Sequence, residues 1–225
     1  MSGTLYIVAT PIGNLEDITS RALKTLESVD AVICEDTRRT LPLLSYFGLR
    51  KRVVSYFEHS KGRVTENILS ELTSGKSMAL VTDAGTPGVS DPGARLVAQA
   101  RRLEIPVVPI PGVSAVMTAL SVAGLPTEPF HFWGFLSPKP SKRKKVYEWV
   151  QQLPGSHSFY VSPHKILKQA EEWGAYFSDF NFFVCKEMTK TYETFCFGKY
   201  EKVLEELKNI PIKGEFTVIL SKEEL

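Results

Sequence analysis

Apolar residues in this chain fall into short runs bounded by turn formers, separated by longer stretches with helical spacing. Leu5 to Ala9 is a continuous apolar run, the pattern of a strand covered on both faces. Thr10-Pro11-Ile12-Gly13-Asn14 ends it. Asn14 is placed to cap a helix with Glu16 and Asp17 in its first turn and Leu15, Ile18, Ala22, Leu23 and Leu26 on its apolar face. Ala31 to Cys34 and Val53 to Phe57 predict two further strands. Arg63 to Ser74 predicts a helix with Val64, Ile68, Leu69 and Leu72 on one face, closed by Gly75. Ser77 to Val81 predicts a strand running into the loop Thr82 to Gly93, which carries three glycines and two prolines and leads to a helix over Ala94 to Leu103. The strand Val107 to Ile110, the loop Pro111 to Ala115 and the helix Val116 to Ala123 complete the first half.

Strands alternating with helices predict βαβ units, a mainly parallel sheet and helices on both of its faces, with ligands beyond the carboxyl ends of the strands. Leu125 to Phe130 contains two prolines and no periodicity. It suggests a boundary between an N-terminal α/β domain, 1–124, and a C-terminal α/β domain, 125–225. The second half predicts strands at His131 to Phe135, Ser158 to Val161, Phe180 to Lys186, Glu193 to Phe197 and Glu215 to Leu220. Helices are expected over Lys142 to Leu153, Pro163 to Trp173 and Lys199 to Lys208. Several of these strands are consecutive, so a mixed sheet with antiparallel pairs is expected.

Composition narrows the class without naming a function. Of the 225 residues 43% are hydrophobic and 23% charged, enough for a buried core. No run of eighteen apolar residues and no basic-then-apolar leader is present, so a soluble cytoplasmic protein without membrane attachment is expected. Cys34, Cys185 and Cys196 are odd in number and far apart, which argues against disulfides and zinc and for small core residues. A net charge of +2 is too mild to announce a nucleic-acid binder. The distribution says more, because Lys139, Lys142, Arg143, Lys144 and Lys145 lie beside Phe132, Trp133 and Phe135. Cations next to aromatic rings suit RNA, although such a run also reads as a solvated helix face.

Several chemistries are excluded by spacing. Gly75-Lys76-Ser77 looks like the end of a phosphate-binding loop, but Ser70 stands where that motif needs Gly, and a helix precedes it where a strand is required. Gly112-Val113-Ser114 lacks the closing Gly of a nucleophile elbow. His59, His131, His157 and His164 have no metal-binding spacing, and no dinucleotide fingerprint follows the first strand. Glu35-Asp36-Thr37-Arg38-Arg39 puts four charges at a strand's end. It suggests the rim of a site or, equally, a helix start with Asp36 or Thr37 as N-cap. What remains is three backbone-rich loops with few fixed charges, which suits a modest-sized cofactor read by backbone polarity.

The runs Leu5 to Ile18, Cys34 to Arg38, Asp83 to Gly93, Gly134-Phe135-Leu136, Lys186 to Glu193 and Gly214-Glu215-Phe216 together closely resemble the bacterial 16S rRNA cytidine 2'-O-methyltransferases, a family similar in fold to the tetrapyrrole methylases. The resemblance covers nearly the whole chain. It implies S-adenosyl-L-methionine as cofactor, held in a cleft between two α/β domains, 16S rRNA or the assembled small ribosomal subunit as partner, and a homodimer. It places Pro11, Asp83, Ala84, Gly85, Thr86, Pro111, Gly112, Ser114, Ala115, Phe135 and Gly214 around the cofactor. Glu35, Asp36 and Arg38 fall on the substrate side, joined by the basic Lys142, Arg143 and Lys144, and no metal is implied. Glu187 and Lys190 are candidates for the general base that a ribose hydroxyl needs at neutral pH, unless they merely pair with each other or with Arg38. Two departures stand out: Val113 replaces an expected Pro, and longer relatives continue into a C-terminal helical piece that would carry further substrate contacts. Two other functions fit the same fold, tetrapyrrole C-methylation and non-catalytic RNA binding.

Overall fold

Each apolar run of the first half becomes a strand of one parallel sheet. The computed structural model describes residues 2–57 and 62–223, so His59 lies outside the described residues. The chain divides into two units, Met1–Ser114 and Ala115–Leu225. This boundary falls before the helix Ala115–Val122, where the Pro-rich linker had suggested one after it. The reason is packing, since that helix lies against the last strand of the second unit, Phe216–Ser221.

In the first unit, β1 (Leu5–Val8), β2 (Ala31–Cys34), β3 (Arg52–Ser55), β4 (Met78–Leu80) and β5 (Val107–Ile110) are ordered β3-β2-β4-β1-β5, all parallel. Four helices, α1 (Ser20–Ser28), α2 (Thr37–Tyr46), α3 (Gly62–Thr73) and α4 (Ala94–Arg102), cover the sheet. Side chains alternate across each strand, so Leu5, Ile33, Met78 and Leu80 pack with Ile68, Leu72, Leu96 and Ala100 of α3 and α4. Val8, Val32, Ala79 and Val81 pack with Ala22, Leu26 and Leu44 of α1 and α2 on the opposite face. The connections after β1 and β4 therefore leave neighbouring strands toward opposite faces, the switch-point arrangement at which open α/β sheets bind ligands.

One local prediction needs correction and another is extended. The helix expected from Asn14 onward breaks in two. Asn14 Oδ1 accepts from the Glu16 amide (3.1 Å) over a single 3-10 turn, Leu15–Asp17, the chain then extends, and Thr19 Oγ1 caps α1 through the Ala22 amide (3.0 Å). Two cap-competent residues five apart compete, and the second opens onto the longer apolar stripe. The helix start offered at Asp36 or Thr37 extends to a full helix, α2, capped by Asp36 and running to Tyr46 although Pro42 in its interior removes an intrahelical donor.

In the second unit, α5 (Ala115–Val122) precedes β6 (Phe130–Phe135), α6 (Pro140–Gln152), β7 (Ser156–Val161), α7 (Ile166–Trp173), β8 (Asn181–Lys186), β9 (Thr194–Lys199), α8 (Tyr200–Asn209) and β10 (Phe216–Ser221). The sheet order is β6-β7-β10-β8-β9, parallel between β6 and β7 and antiparallel elsewhere, the mixed sheet expected from consecutive strands. Tyr147, Phe159, Trp173, Phe177 and Phe182 dominate its core. All three cysteines are buried and free, and burial pushes the Cys185 thiol up to about 12, so at neutral pH it is an apolar core atom.

Buried His157 carries a testable consequence of this packing. Its Nδ1 accepts from Trp133 Nε1–H (3.3 Å) while its Nε2–H donates to the Leu153 carbonyl (3.2 Å), an arrangement open only to the neutral ring. Burial lowers its pKa to about 4, the hydrogen bond to Leu153 partly opposing this. A histidine with a depressed native pKa leaves the unfolded chain binding more protons between the two values, so stability is full above the unfolded pKa and falls with pH below it. Urea unfolding should show a loss on the order of 3 kcal/mol as pH falls from about 6.5 toward 4, and His157→Gln should flatten that slope. An unchanged slope in the variant would assign the acid sensitivity elsewhere.

Candidate active site

Three loops meet at the carboxyl edge of the first sheet because β4, β1 and β5 are neighbours there. The loop after β1 and the loop after β4 are joined backbone to backbone: the Thr10 amide donates to the Gly85 carbonyl (2.9 Å) and the Gly85 amide to the Thr10 carbonyl (3.0 Å). Gly85 adopts φ +86°, the left-handed conformation that favours glycine. Thr10 Oγ1 donates to the Thr82 carbonyl (3.0 Å), and Thr86 Oγ1 donates to the Val113 carbonyl (3.0 Å), which ties in the loop after β5. Gly112 passes so close to β1 that a Cβ there would stand 2.9 Å from the Ala9 Cβ. Pro11, Asp83, Ala84, Gly85, Thr86, Pro111, Gly112 and Ser114 are thus gathered along one rim. The rim is built mostly from main chain, with little room for added side chains.

The charged loop after β2 borders the same rim. Asp36 is the N-cap of α2, its Oδ1 accepting from the Arg38 amide (2.9 Å). Arg38 folds back onto that carboxylate, with Nη2 at 2.7 Å from Oδ2, and these hydrogen bonds hold the Asp36 carboxyl down at about 2. Both sequence readings of this segment therefore meet in one residue, since the cap is also a rim carboxylate. Asp83 receives the Asp36 amide (3.3 Å) and the Arg39 guanidinium (3.3 Å). Arg39 was passed over in favour of Arg38. The usable signal was the cap itself, because fixing Asp36 as N-cap closes Arg38 onto it and leaves Arg39 to reach Asp83.

In the second unit the predicted Glu187, Lys190 and Gly214 come together at the ends of β8 and β10. Glu187 has φ +53°, an uncommon conformation for a side-chain-bearing residue, and its Oε1 accepts from Lys190 Nζ (2.9 Å) and from the Glu215 amide (2.9 Å). Lys190 Nζ also donates to Glu215 Oε2 (3.0 Å). Gly214, at φ +88°, lies against Glu187 so closely that a Cβ would overlap the carboxylate. Burial alone would raise the Glu187 carboxyl, but Lys190, the Glu215 amide and Lys186 outweigh it and hold the group below its usual range. Burial alone would lower Lys190, but its two carboxylate partners outweigh it and keep the ammonium protonated. At neutral pH the pair is a charged clasp, and Lys190 is a cationic donor with no lone pair to offer. Glu215 completes the clasp and was missed, although Gly214-Glu215-Phe216 had been singled out as a motif.

The remaining candidates are scattered. Phe135 ends β6 with an exposed ring 5.5 Å from that of Tyr160, and Ala115 opens α5. Lys142 and Lys144 are exposed on α6, but Arg143 is not, which removes it from the substrate surface. Its guanidinium is buried, donates to Glu172 at 2.6 and 2.9 Å and also bonds the carbonyls of Ser137 and Pro138. A helix turns one of four consecutive charges inward, and here the inward position, the second, found a carboxylate. Among the described residues no group of three or more His, Cys, Asp or Glu could hold a metal, and no helix is long and apolar enough to cross a membrane.

The chain belongs to the family of tetrapyrrole (corrin/porphyrin) methylases, which it matches over residues 4–204. Within it, the chain is 43% identical over 218 residues to a Halalkalibacterium halodurans protein named ribosomal RNA small subunit methyltransferase I, covering 97% of this chain and 75% of that one. A Leptospira biflexa protein of the same name is 41% identical, covering 97% of this chain and 91% of its own. Among solved structures, diphthine synthase superposes with a TM-score of 0.75 at 17% identity, over 99% of this chain and 92% of that one. Uroporphyrin-III C-methyltransferase from Thermus thermophilus, complexed with S-adenosyl homocysteine, superposes with a TM-score of 0.68 at 17% identity, over 98% of each chain.

Proposed function

We propose that this protein transfers a methyl group from S-adenosyl-L-methionine to the 2'-hydroxyl of a cytidine in 16S rRNA, acting on the small ribosomal subunit. The single observation that carries the reading is the identity of 40–43% to proteins named ribosomal RNA small subunit methyltransferase I, spread along almost the entire chain. The ribose position and the nucleotide rest on the sequence motifs quoted above. The rim of the first sheet suits the cofactor on one structural ground: Gly112 keeps bare backbone where a Cβ would crowd Ala9, and Gly85 holds the left-handed turn that brings its loop against Thr10. A flat heterocycle with polar edges is well met by such an edge of amides and carbonyls.

When bound, the cofactor supplies a methyl group already activated on sulfonium. The protein's residues orient and exclude water, which accounts for most of the rate in a displacement of this kind. The stitched loops of Thr10, Gly85 and Thr86 give the rim its rigidity, and Asp83, fixed by Arg39 and the Asp36 amide, presents a carboxylate to ribose or amine hydrogens. Lys190, kept protonated, donates toward oxygen, and Glu187 holds it in place. Glu187 is then the better of the two candidates for accepting the hydroxyl proton, although the clasp weakens it as a base.

Labelled methyl transfer to undermethylated small subunits, followed by digestion to nucleosides, tests the reading. Label in 2'-O-methylcytidine is expected. Label in a base-methylated nucleoside would overturn the ribose assignment, and no label together with perturbed visible bands of an added porphyrinoid would move the protein to tetrapyrrole methylation. The Asp83 assignment has its own check. Arg39→Met removes a half-exposed ion pair worth about 1 kcal/mol, so KM for the cofactor should rise about fivefold with kcat little changed. A fall in kcat at constant KM would mean that Arg39 serves the RNA instead.

A further inference from the structure

We propose that the outer face of α6 is a binding surface for single-stranded RNA, with Lys142 and Lys145 against phosphates and Trp149 stacked on a base. The inference rests on the reading of RNA as substrate and adds a second contact region to it. Residues 142, 145 and 149 follow one another at helical intervals of three and four, so they share a face, and all three are exposed. Trp149 is 52% exposed, unusual for the largest apolar side chain on a helix whose other face is well buried.

The charges on this face are poorly matched to the helix alone. Lys139 stands at the N-cap without a side-chain capping bond, and no acidic residue occupies the first turn. Lysines there oppose the positive end of the helix dipole, where carboxylates or an anion would be stabilising. Arg143 is neutralised by Glu172 and Lys144 by Glu148 (3.8 Å), whereas Lys142 and Lys145 have no ion pair among the described residues. The two unneutralised cations are the ones that flank Trp149 on its face.

The ring itself is held in place. Trp149 lies 6.1 Å from Trp133 at 21°, Trp133 lies 6.2 Å from His157 at 20°, and His157 lies 5.0 Å from His131 at 15°. Trp133 is anchored edge-on to His157 by its hydrogen bond and lies 6.2 Å from His131 as well, so Trp149 packs on a braced cluster of rings and is its exposed member. A base laid on the exposed Trp149 ring, braced by Trp133, stacks at little entropic cost. Only an unpaired base offers its face, which selects single strands over duplex.

The test measures binding of a labelled single-stranded RNA oligonucleotide to the intact chain. Lys142→Glu with Lys145→Glu should weaken binding at least about tenfold and reduce the slope of log affinity against log salt by about 1.4, the value for two lost contacts to single-stranded phosphates. Trp149→Ala should weaken binding by about fivefold to a hundredfold, while Trp149→Phe retains most of it. Lys168→Glu with Lys208→Glu, the same charge change on exposed positions of other helices, should leave binding near normal. Three outcomes would overturn the proposal: equal losses from both charge pairs, an unaffected Trp149→Ala, or losses seen with assembled subunits but not with free RNA, which would mean a protein partner. Methyl transfer by the unaltered chain is scored separately. Transfer with unaffected variants sinks the α6 surface alone, and absent transfer with the expected binding losses sinks the reaction alone.

Discussion

Gly214→Ala should lower methyl transfer by about a hundredfold while the protein still folds, and Gly48→Ala should leave transfer near normal. Both glycines are left-handed, at φ +88° and +70°, so both substitutions carry the same backbone strain of about 1–2 kcal/mol. They differ in surroundings. A Cβ at Gly48 meets nothing within 4 Å, whereas at Gly214 it overlaps the Glu187 carboxylate. Relief at Gly214 must come from moving Glu187, which takes Lys190 with it because the two share a hydrogen bond. A displacement of about an ångström at a positioned group commonly costs about a hundredfold in rate. Steady-state kinetics and urea unfolding on both variants separate the effects. Similar midpoints with activity lowered only in Gly214→Ala are expected, and equal activity in the two would remove the clasp from the reaction.

Lys190→Met is expected to lower kcat by about a hundredfold to a thousandfold, the range seen when one preorganised donor is removed. It leaves Glu187 and Glu215 facing each other without their shared cation, and stability should fall by about 1–2 kcal/mol, less than for a fully buried pair because these side chains are partly solvated. Glu187→Gln is the informative partner. Its amide oxygen still accepts from Lys190 and from the Glu215 amide, so geometry survives and only the charge is lost. A small loss in Glu187→Gln beside a large one in Lys190→Met assigns the work to the donor; the reverse order makes Glu187 the base. The pH profile follows from the directions of the shifts. The Glu187 carboxyl is depressed, so its contribution is present above the ordinary carboxyl value of 4.5 and fades as pH falls through its lower native one. The Lys190 ammonium is raised, so its contribution is present below 10.5 and fades as pH rises past its higher native one.

Much of this was legible in the chain. Alternating apolar runs and helical stretches announce the βαβ order of the first unit, because a strand covered on both faces must be apolar throughout. Consecutive strands in the second half announce its antiparallel pairs. Gly and Pro mark the three loops, since few other residues tolerate the backbone those loops adopt.

What local pattern could not carry were features decided by partners distant in sequence. Arg143 and Lys144 are adjacent and chemically alike, yet one is buried because Glu172 waits on another helix and the other faces water. Helix α5 follows the parallel sheet in sequence but belongs to the second unit because β10, a hundred residues on, offers it a surface. Glu187 and Lys190 could be read from the chain as a pair. That they share Glu215 and are wedged by Gly214 follows only from β8 and β10 running side by side. Sequence by itself determined where backbone must bend and which stretches must be buried, because those follow from each residue's own sterics and hydration. Tertiary structure decided which charges meet, because an ion pair depends on distance in space and the chain records only distance along itself.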